Sequence, residues 1–136
     1  MSTEIIVGIR KRSTEAANID DMATIYASGM NELGKAFTRI SGCYNDEDPL
    51  YRLDDSLIDR WEADLRGEEK EHDKAIKAYD AMIECTNDDE VRWDNIMSRQ
   101  ESQTVKDEIT YDYMLLRMWR EMIHDYKNDI YVCVSY

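Results

Sequence analysis

The longest amphipathic stretch of the sequence runs from Thr104 to Lys127. Its apolar residues recur at steps of three, four and seven, the spacing that places side chains on one face of an α-helix. These residues are Val105, Ile109, Leu116, Trp119, Ile123 and Tyr126. Asp107 and Glu108 in the first turn and Lys127 in the last turn suit the helix dipole. The pattern predicts a helix over 104–127 against which the remaining elements pack.

Three other segments show helical spacing of their apolar residues. Over 19–40 these positions alternate by four and three, which predicts a helix of roughly five to six turns. A second helix is predicted over 54–85, with an interruption at Gly67. A third follows the turn at 86–89, where Thr86 and Asp89 have the spacing of a capping box.

Folding the chain back near Asp88 places the second and third helices side by side as an antiparallel hairpin. The polar segments 66–74 and 99–107 then become neighbours. Either the hairpin projects beyond the core there, or polar side chains of the two segments pair. We expect a break near residue 100, because an unbroken helix over 90–127 would be about 55 Å long.

Short β-branched runs at the two ends of the chain indicate strands. They cover Glu4 to Arg10 and Ile130 to Val134, and they can pair with each other. The principal loop is predicted over 41–55, which contains the one proline of the chain. The sequence therefore predicts a single, mainly α domain over residues 1–136. We expect a bundle of three to five helices with a small two-stranded sheet formed by the N- and C-terminal strands.

The formal net charge of -13 is concentrated in the middle of the chain. Residues 41–95 carry 18 acids and seven bases, a net charge of -11, whereas residues 1–40 are neutral and residues 96–136 carry -2. A field of this sign repels nucleic acid and anionic lipid and attracts basic surfaces. We therefore expect no direct binding to nucleic acid or to membranes.

The apolar segments and the cysteines of the sequence indicate in which cellular compartment the protein is found. No apolar run approaches the roughly 20 residues of a membrane span, and the N-terminus lacks the apolar region of a secretory signal. Cys43, Cys85 and Cys133 are odd in number and have no paired spacing. These features predict reduced cysteines and a cytoplasmic protein.

The pattern Glu-x-x-His occurs twice, in Glu69–His72 and in Glu121–His124. Two such pairs contribute to the metal centre of ferritin-like di-iron proteins. The first pair continues the apolar side of its helix, whereas the second falls on the solvent side of its own. Because the pairs lie on unrelated faces, we predict no metal site and no cofactor. A metal-binding oxidoreductase is the remote alternative.

Other catalytic patterns are missing from the sequence. It has no phosphate-binding glycine pattern and no EF-hand with spaced ligands. The stretch VGIRKRSTEAANIDDMATIY resembles the opening strand and helix of the acetyl-CoA-dependent N-acetyltransferase family. That family has further strands and a glycine-rich loop for the pyrophosphate of acetyl-CoA, and residues 41–128 show neither pattern. We predict that the protein is not an enzyme.

The acidic middle of the chain is the main functional signal. Carboxylates held on rigid helices can imitate a row of phosphates and occupy the basic groove of a nucleic-acid-binding protein. We predict a non-enzymatic acidic inhibitor that presents such a face to a protein partner with a basic surface. The candidate partner-binding residues are Glu47, Asp48, Asp54, Asp55, Asp59, Glu62, Glu68, Glu69, Glu71, Asp88, Asp89 and Glu90.

Two other interpretations use the same residues differently. A solvated acidic face can simply keep the protein soluble. The small size of the chain also suits an adaptor or structural module that binds through apolar contacts, including contacts with a second copy of itself as a homodimer. Salt separates these hypotheses, because only the inhibitor should bind more weakly as salt rises.

Overall fold

The computed structural model describes residues 3–10, 22–42 and 50–135. In chain order these contain β1 (Glu4–Arg10), β2 (Met22–Gly29), α1 (Glu32–Ser41), β3 (Tyr51–Arg52), α2 (Asp55–Cys85), α3 (Asp89–His124) and β4 (Ile130–Ser135). The protein is mainly helical, as predicted. Within the described ranges, no helix combines the length and the apolar character needed to cross a membrane.

The four strands form one antiparallel sheet in the order β2-β1-β4-β3. β1 pairs with β4, with Val7 opposite Val132, so the predicted pairing of the terminal strands is confirmed. The prediction of only two strands is wrong, because β2 and β3 each add a strand at one edge. The register of β1 against β2 shifts between Val7 and Gly8. A Cβ atom on Gly8 would lie 2.7 Å from the Cβ of Met22, so this bulge leaves no room for a side chain.

The helix predicted over 19–40 is wrong, because the chain forms β2 and then α1 in this region. Thr24, Ile25 and Tyr26 favour a strand, and pairing with β1 satisfies the backbone there. α1 begins only after Asn31, whose Oδ1 accepts a hydrogen bond from the Gly34 N–H at 3.0 Å. The first residues of the predicted helix lie outside the described ranges.

α2 and α3 form the predicted antiparallel hairpin, but neither helix is interrupted. Gly67 lies inside α2 without a positive φ, so the predicted stop there is wrong. The predicted break near residue 100 is also wrong, since α3 runs through it. At 1.5 Å per residue, α2 is about 47 Å long and α3 about 54 Å. α3 ends at His124 rather than at Lys127, which adopts a φ of 56°.

The core lies between the sheet, α1 and the part of the hairpin next to them. Trp61 and Trp119 are fully buried with ring centroids 6.0 Å apart, and Phe37 lies 5.1 Å from Trp61. The Trp61 Nε1–H donates a hydrogen bond to the carbonyl oxygen of Leu33 at 2.9 Å. Of the face predicted for the 104–127 helix, Ile109, Leu116 and Trp119 are buried, Val105 and Ile123 are half-buried, and Tyr126 is exposed beyond the helix end.

Candidate interaction surface

The hairpin has two parts that pack differently. We call residues 55–65 and 109–124 the base, and residues 66–108 the arm. In the base, α2 and α3 bury large apolar side chains against the sheet and α1. In the arm, the buried side chains are Ile76, Asn95 and Ser102. The arm therefore projects beyond the core as two helices that cover each other on one side only.

Polar contacts join the two helices along the arm. His72 Nδ1 lies 3.2 Å from Ser102 Oγ. Lys106 forms an ion pair with Asp73, which raises the pKa of Lys106 through the hydrogen bond and the charge of that carboxylate. Farther out, Arg99 Nε donates to Asp80 Oδ1 at 2.5 Å. The polar segments of the two helices thus project beyond the core and also pair, which combines the two arrangements that the sequence allows.

The tip of the arm, residues 79–97, combines acids with exposed apolar side chains. It contains six acids and one base. Asp88 caps α3, because its carboxylate accepts hydrogen bonds from the backbone N–H groups of Glu90 and Val91. The predicted capping box at Thr86 is therefore wrong. The exposed apolar side chains of the tip are Met82, Val91, Trp93, Ile96 and Met97.

Two sides of α3 differ in burial, and on each of them successive residues are alternately three and four positions apart. We call the side toward the interior the inner seam, and all its members are buried or half-buried. It consists of Asn95, Ser98, Ser102, Val105, Ile109, Asp112, Leu116, Trp119 and Ile123. We call the opposite side the outer seam, and all its members are exposed. It consists of Trp93, Met97, Gln100, Thr104, Asp107, Tyr111, Met114 and Met118.

Three of the predicted partner-binding acids converge on one arginine at the base. Arg120 donates hydrogen bonds to Asp55 at 2.8 Å and to Asp59 at 2.7 Å, and it lies 3.9 Å from Glu62. His124 Nε2 also lies 2.8 Å from the carboxylate of Asp55. The hydrogen bond to His124 and the two nearby cations lower the pKa of Asp55, against the opposing effect of desolvation. Arg120 offsets one of the three negative charges and Arg66 lies 3.7 Å from Glu62, so these carboxylates are partly neutralised.

The other predicted acids have mixed surroundings. Ion pairs join Glu68 to Arg39 at 3.8 Å, Glu71 to Lys74 at 3.5 Å, and Asp89 to Arg92 at 3.4 Å. Asp54 caps α2 through a 2.8 Å hydrogen bond from the Leu57 N–H, as Asp88 caps α3. Among the described residues, Glu69 and Glu90 form no ion pair with a basic side chain. Glu47 and Asp48 lie outside the described residues.

The predicted acids do not come together as one site. Asp55 and Asp59 lie at the base, while Asp88, Asp89 and Glu90 lie at the tip. Along the hairpin axis these groups are about 40 Å apart. The tip keeps the larger unneutralised charge: of its six acids, Asp80 pairs with Arg99 and Asp89 with Arg92, and the other four form no ion pair among the described residues.

The two Glu-x-x-His patterns lie far apart in the fold. His72 is half-buried in the arm and contacts Ser102, whereas His124 is exposed at the base and contacts Asp55. The predicted orientation of each pair on its helix agrees with these exposures. Within the described ranges, no group of three or more His, Cys, Asp or Glu residues could hold a metal ion.

A buried carboxylate and a cleft complete the polar features of the base. Asp112 is 1% exposed, and its Oδ2 has no hydrogen-bond partner among the described residues. Burial, followed by the charges of Glu108 and Glu32, raises the pKa of Asp112 to about 7. A cavity of about 260 Å³ also opens between the helices, lined by Glu62, Arg66, Tyr113, Arg117 and Arg120.

The outer seam is the surface that the sequence interpretation missed. The sequence pattern centred on Leu116 and Trp119 predicted the inner side of α3 correctly. The outer side follows the same alternation of three and four, with Tyr111, Met114 and Met118 in its second half. Apolar residues at this spacing are a signal for helix pairing, and here they occupy the two ends of the seam. It could have been found by testing each register of the pattern.

The chain matches no protein-family model, no curated protein sequence and no solved structure.

Proposed function

We propose that the protein is a non-enzymatic protein-binding module whose outer seam on α3 is the binding surface. The observation that carries this proposal is the exposure of five large apolar side chains along one side of a single helix. Trp93 is 61% exposed and Met114 58% exposed. These side chains form two exposed apolar patches, which the polar middle of the seam separates. Exposed apolar patches mark interaction sites. The five side chains are Trp93, Met97, Tyr111, Met114 and Met118.

The types of these side chains suit protein recognition. Trp93 and Tyr111 offer large apolar surfaces at a low cost in conformational entropy, and such residues dominate binding energy at interfaces. The three methionines are flexible and polarisable, so they adapt to a partner's shape. Leu116 and Trp119 of the inner seam anchor α3 in the core, so the part of the outer seam at Met114 and Met118 is presented on a rigid support.

Site-specific photocrosslinking tests this proposal. A benzoylphenylalanine placed at Gln100 or Tyr111 on the outer seam should form adducts in an extract of the producing cells. The matched control is Lys77, which is exposed on α2 and lies away from this seam. Excess unlabelled protein should suppress the adducts. Equal adducts at all three positions, or none at any of them, would contradict the proposal.

A second candidate function is the acidic inhibitor with a basic partner, and the tip supports it. Glu84, Glu90 and Asp94 form no ion pair among the described residues, and they surround exposed apolar side chains such as Ile96. A partner that fits this tip has an apolar depression with a basic rim. Steering by opposite charges raises association rates and weakens as salt screens the charges.

Salt dependence tests the second candidate with a short oligo-arginine peptide as the probe. Binding measured by calorimetry should weaken steeply between about 0.1 M and about 1 M NaCl, where the Debye length falls from about 10 Å to about 3 Å. The variant Glu90→Lys/Asp94→Lys should bind several-fold more weakly. The control Asp125→Lys changes an exposed acid at the other end of α3 and should change binding little. Affinity that ignores salt would remove this candidate.

A further inference from the structure

We propose that the partner of the outer seam is a second copy of this chain, paired antiparallel through α3. The inference rests on the proposed function and names the partner of that same surface. The residue pattern favours a symmetric pair, because the outer seam is apolar at both ends and polar in its middle. Trp93 and Met97 form one end, and Met114 and Met118 form the other.

An antiparallel pair matches these side chains to one another. A two-fold axis beside the peptide bond between residues 105 and 106 puts every outer-seam residue opposite another one. The four kinds of layer are Trp93 with Met118, Met97 with Met114, Gln100 with Tyr111, and Thr104 with Asp107 of the other copy. Symmetry repeats each layer, so apolar layers close both ends of the interface. Contacts between sulfur and aromatic rings, as in the Trp93 layer, are favourable.

The polar middle of the outer seam selects the direction of pairing. In a parallel pair, each residue lies opposite itself, so the two Asp107 carboxylates would share one layer. In the antiparallel pair, Asp107 lies opposite Thr104, whose hydroxyl can donate a hydrogen bond to it. A polar residue within an otherwise apolar seam fixes register and orientation at some cost in stability. The middle layers therefore favour the antiparallel arrangement.

The spacing of the outer seam is that of a coiled coil. Steps of three and four average 3.5 residues, the repeat that keeps a seam facing its partner as the helices supercoil. From Trp93 to Met118 the seam is about 38 Å long, and with a helix width of about 10 Å it covers roughly 400 Å² per copy. Specific stable interfaces bury about 800 Å² per partner. We therefore expect a reversible dimer with a dissociation constant in the micromolar range.

Charge gives the dimer a distinctive response to salt. The two Asp107 carboxylates lie in the middle layers, and the exposed Glu101 of each copy flanks the outer seam. These like charges oppose pairing. Raising NaCl from about 0.1 M to about 1 M screens them, so the dimer should become several-fold tighter. This increase of affinity with salt is opposite to the decrease expected for a basic partner.

Sedimentation equilibrium from about 1 µM to about 500 µM protein tests the dimer. The wild-type chain should pass from monomer to dimer in this range. Met114→Glu should remain monomeric, because the new carboxylate would face Met97 of the other copy. The matched control is Met82→Glu, an exposed methionine of α2 that is 50% exposed and lies off the seam, and it should dimerise like wild type. Circular dichroism checks that both variants keep the fold.

Spin labels test the direction of pairing. In a Cys43→Ser/Cys85→Ser background, a label at Glu121→Cys should give a distance of about 46 Å between the two copies in the antiparallel dimer. A parallel dimer would place these labels within about 15 Å of each other. The long distance supports the inference, and a short one overturns it.

The outcomes separate this inference from the proposed function. A chain that stays monomeric throughout, or a dimer that survives Met114→Glu, overturns pairing through the outer seam. If such a monomer still forms specific adducts with another protein at Gln100 and Tyr111, the proposed function stands without the second copy. If it forms none, both proposals fail.

Discussion

The base and the arm belong to the same two helices, yet they bury different kinds of side chain. The base brings together Trp61, Leu65, Leu116 and Trp119, all 0% exposed, against the sheet and α1. The arm buries Ile76, which is 8% exposed, together with the polar Asn95 and Ser102, while Ile83 and Val105 are half-buried. One part has a hydrophobic core and the other has only a narrow contact.

This difference gives the two parts different roles: the base stabilises the fold, and the arm presents side chains at the surface. Burial of apolar surface is the main stabilising term in folding, so the base should hold most of the free energy of unfolding. The arm keeps its helical form because α2 and α3 continue without interruption from the base. Parts of a protein with little buried apolar surface open more readily than its core. An element of this kind can expose Trp93 and Met97 without endangering the fold.

The largest expected effect is on the free energy of unfolding, when a tryptophan is removed from the base rather than from the arm. Trp61→Ala should lower the free energy of unfolding by about 3–5 kcal/mol, because it leaves a cavity in the base. Trp93→Ala should change it by about 0.5 kcal/mol or less, since the side chain is exposed. Urea unfolding followed by circular dichroism measures both. If Trp61→Ala does not fold, Leu65→Ala provides the milder test in the base, at about 2–5 kcal/mol.

A second prediction concerns the charged residue buried in the base. The pKa of Asp112 is raised to about 7 from its usual value near 3.8 by burial and by Glu108 and Glu32. Ionising this group is therefore unfavourable only in the folded protein, and the free energy of unfolding should fall as pH rises from about 4 through about 7. Asp112→Asn removes this penalty and should raise the free energy of unfolding at pH 8 by about 2 kcal/mol.

The pH dependence provides the control for Asp112. At about pH 3, below the usual carboxyl pKa near 3.8, both the folded and the unfolded state are largely protonated at this position, so the stabilising effect of Asp112→Asn should largely disappear there. Asp107→Asn is the matched variant, since Asp107 is an exposed acid on the same helix. It should change stability little at either pH. An equal gain at both pH values for Asp112→Asn would show that charge burial is not the cause.

The base was largely predictable from the sequence because its pattern has one consistent period. The spacing of Ile109, Leu116 and Trp119 identified the buried side of α3, and the β-branched terminal runs identified β1 and β4. The error at 19–40 arose because Met22, Tyr26 and Met30 follow one another at steps of four, a helical spacing, although the first two lie in β2. Pairing with β1, which no local pattern reveals, decided the outcome.

The arm was harder to predict because its determinants are contacts between distant residues. Local sequence suggested interruptions at Gly67 and near residue 100, whereas pairing of Asp73 with Lys106 across the hairpin accompanies continuous helices. The acidic residues could be counted, but the sequence did not reveal that Arg120 on the other helix would pair with both Asp55 and Asp59. The charge pattern alone therefore could not identify where an unneutralised face lies.

A third prediction concerns a stabilising substitution at the junction between the base and the arm. Gly67 lies within α2, and a Cβ atom added there would have no neighbour within 4 Å in the part of the chain that the structure describes. Gly67→Ala should therefore raise the free energy of unfolding by about 0.5–1 kcal/mol through the lower backbone entropy of the unfolded chain. Gly8→Ala is the contrasting variant and should destabilise, because its Cβ would meet Met22 at 2.7 Å. Urea unfolding measures the two changes.

The smallest expected effect concerns an ion pair between the helices of the arm. Asp80 and Arg99 are in contact at 2.5 Å, but both side chains are more than a third exposed. Their coupling energy should be about 0.2–1 kcal/mol in a double-mutant cycle with alanine, and 1 M NaCl should reduce it. If the arm opens separately from the base, hydrogen exchange of arm amides will report this coupling while global urea unfolding will not. A coupling well above 2 kcal/mol would mean that ion pairs hold the arm as firmly as apolar burial holds the base, and the distinction between the two parts would be lost.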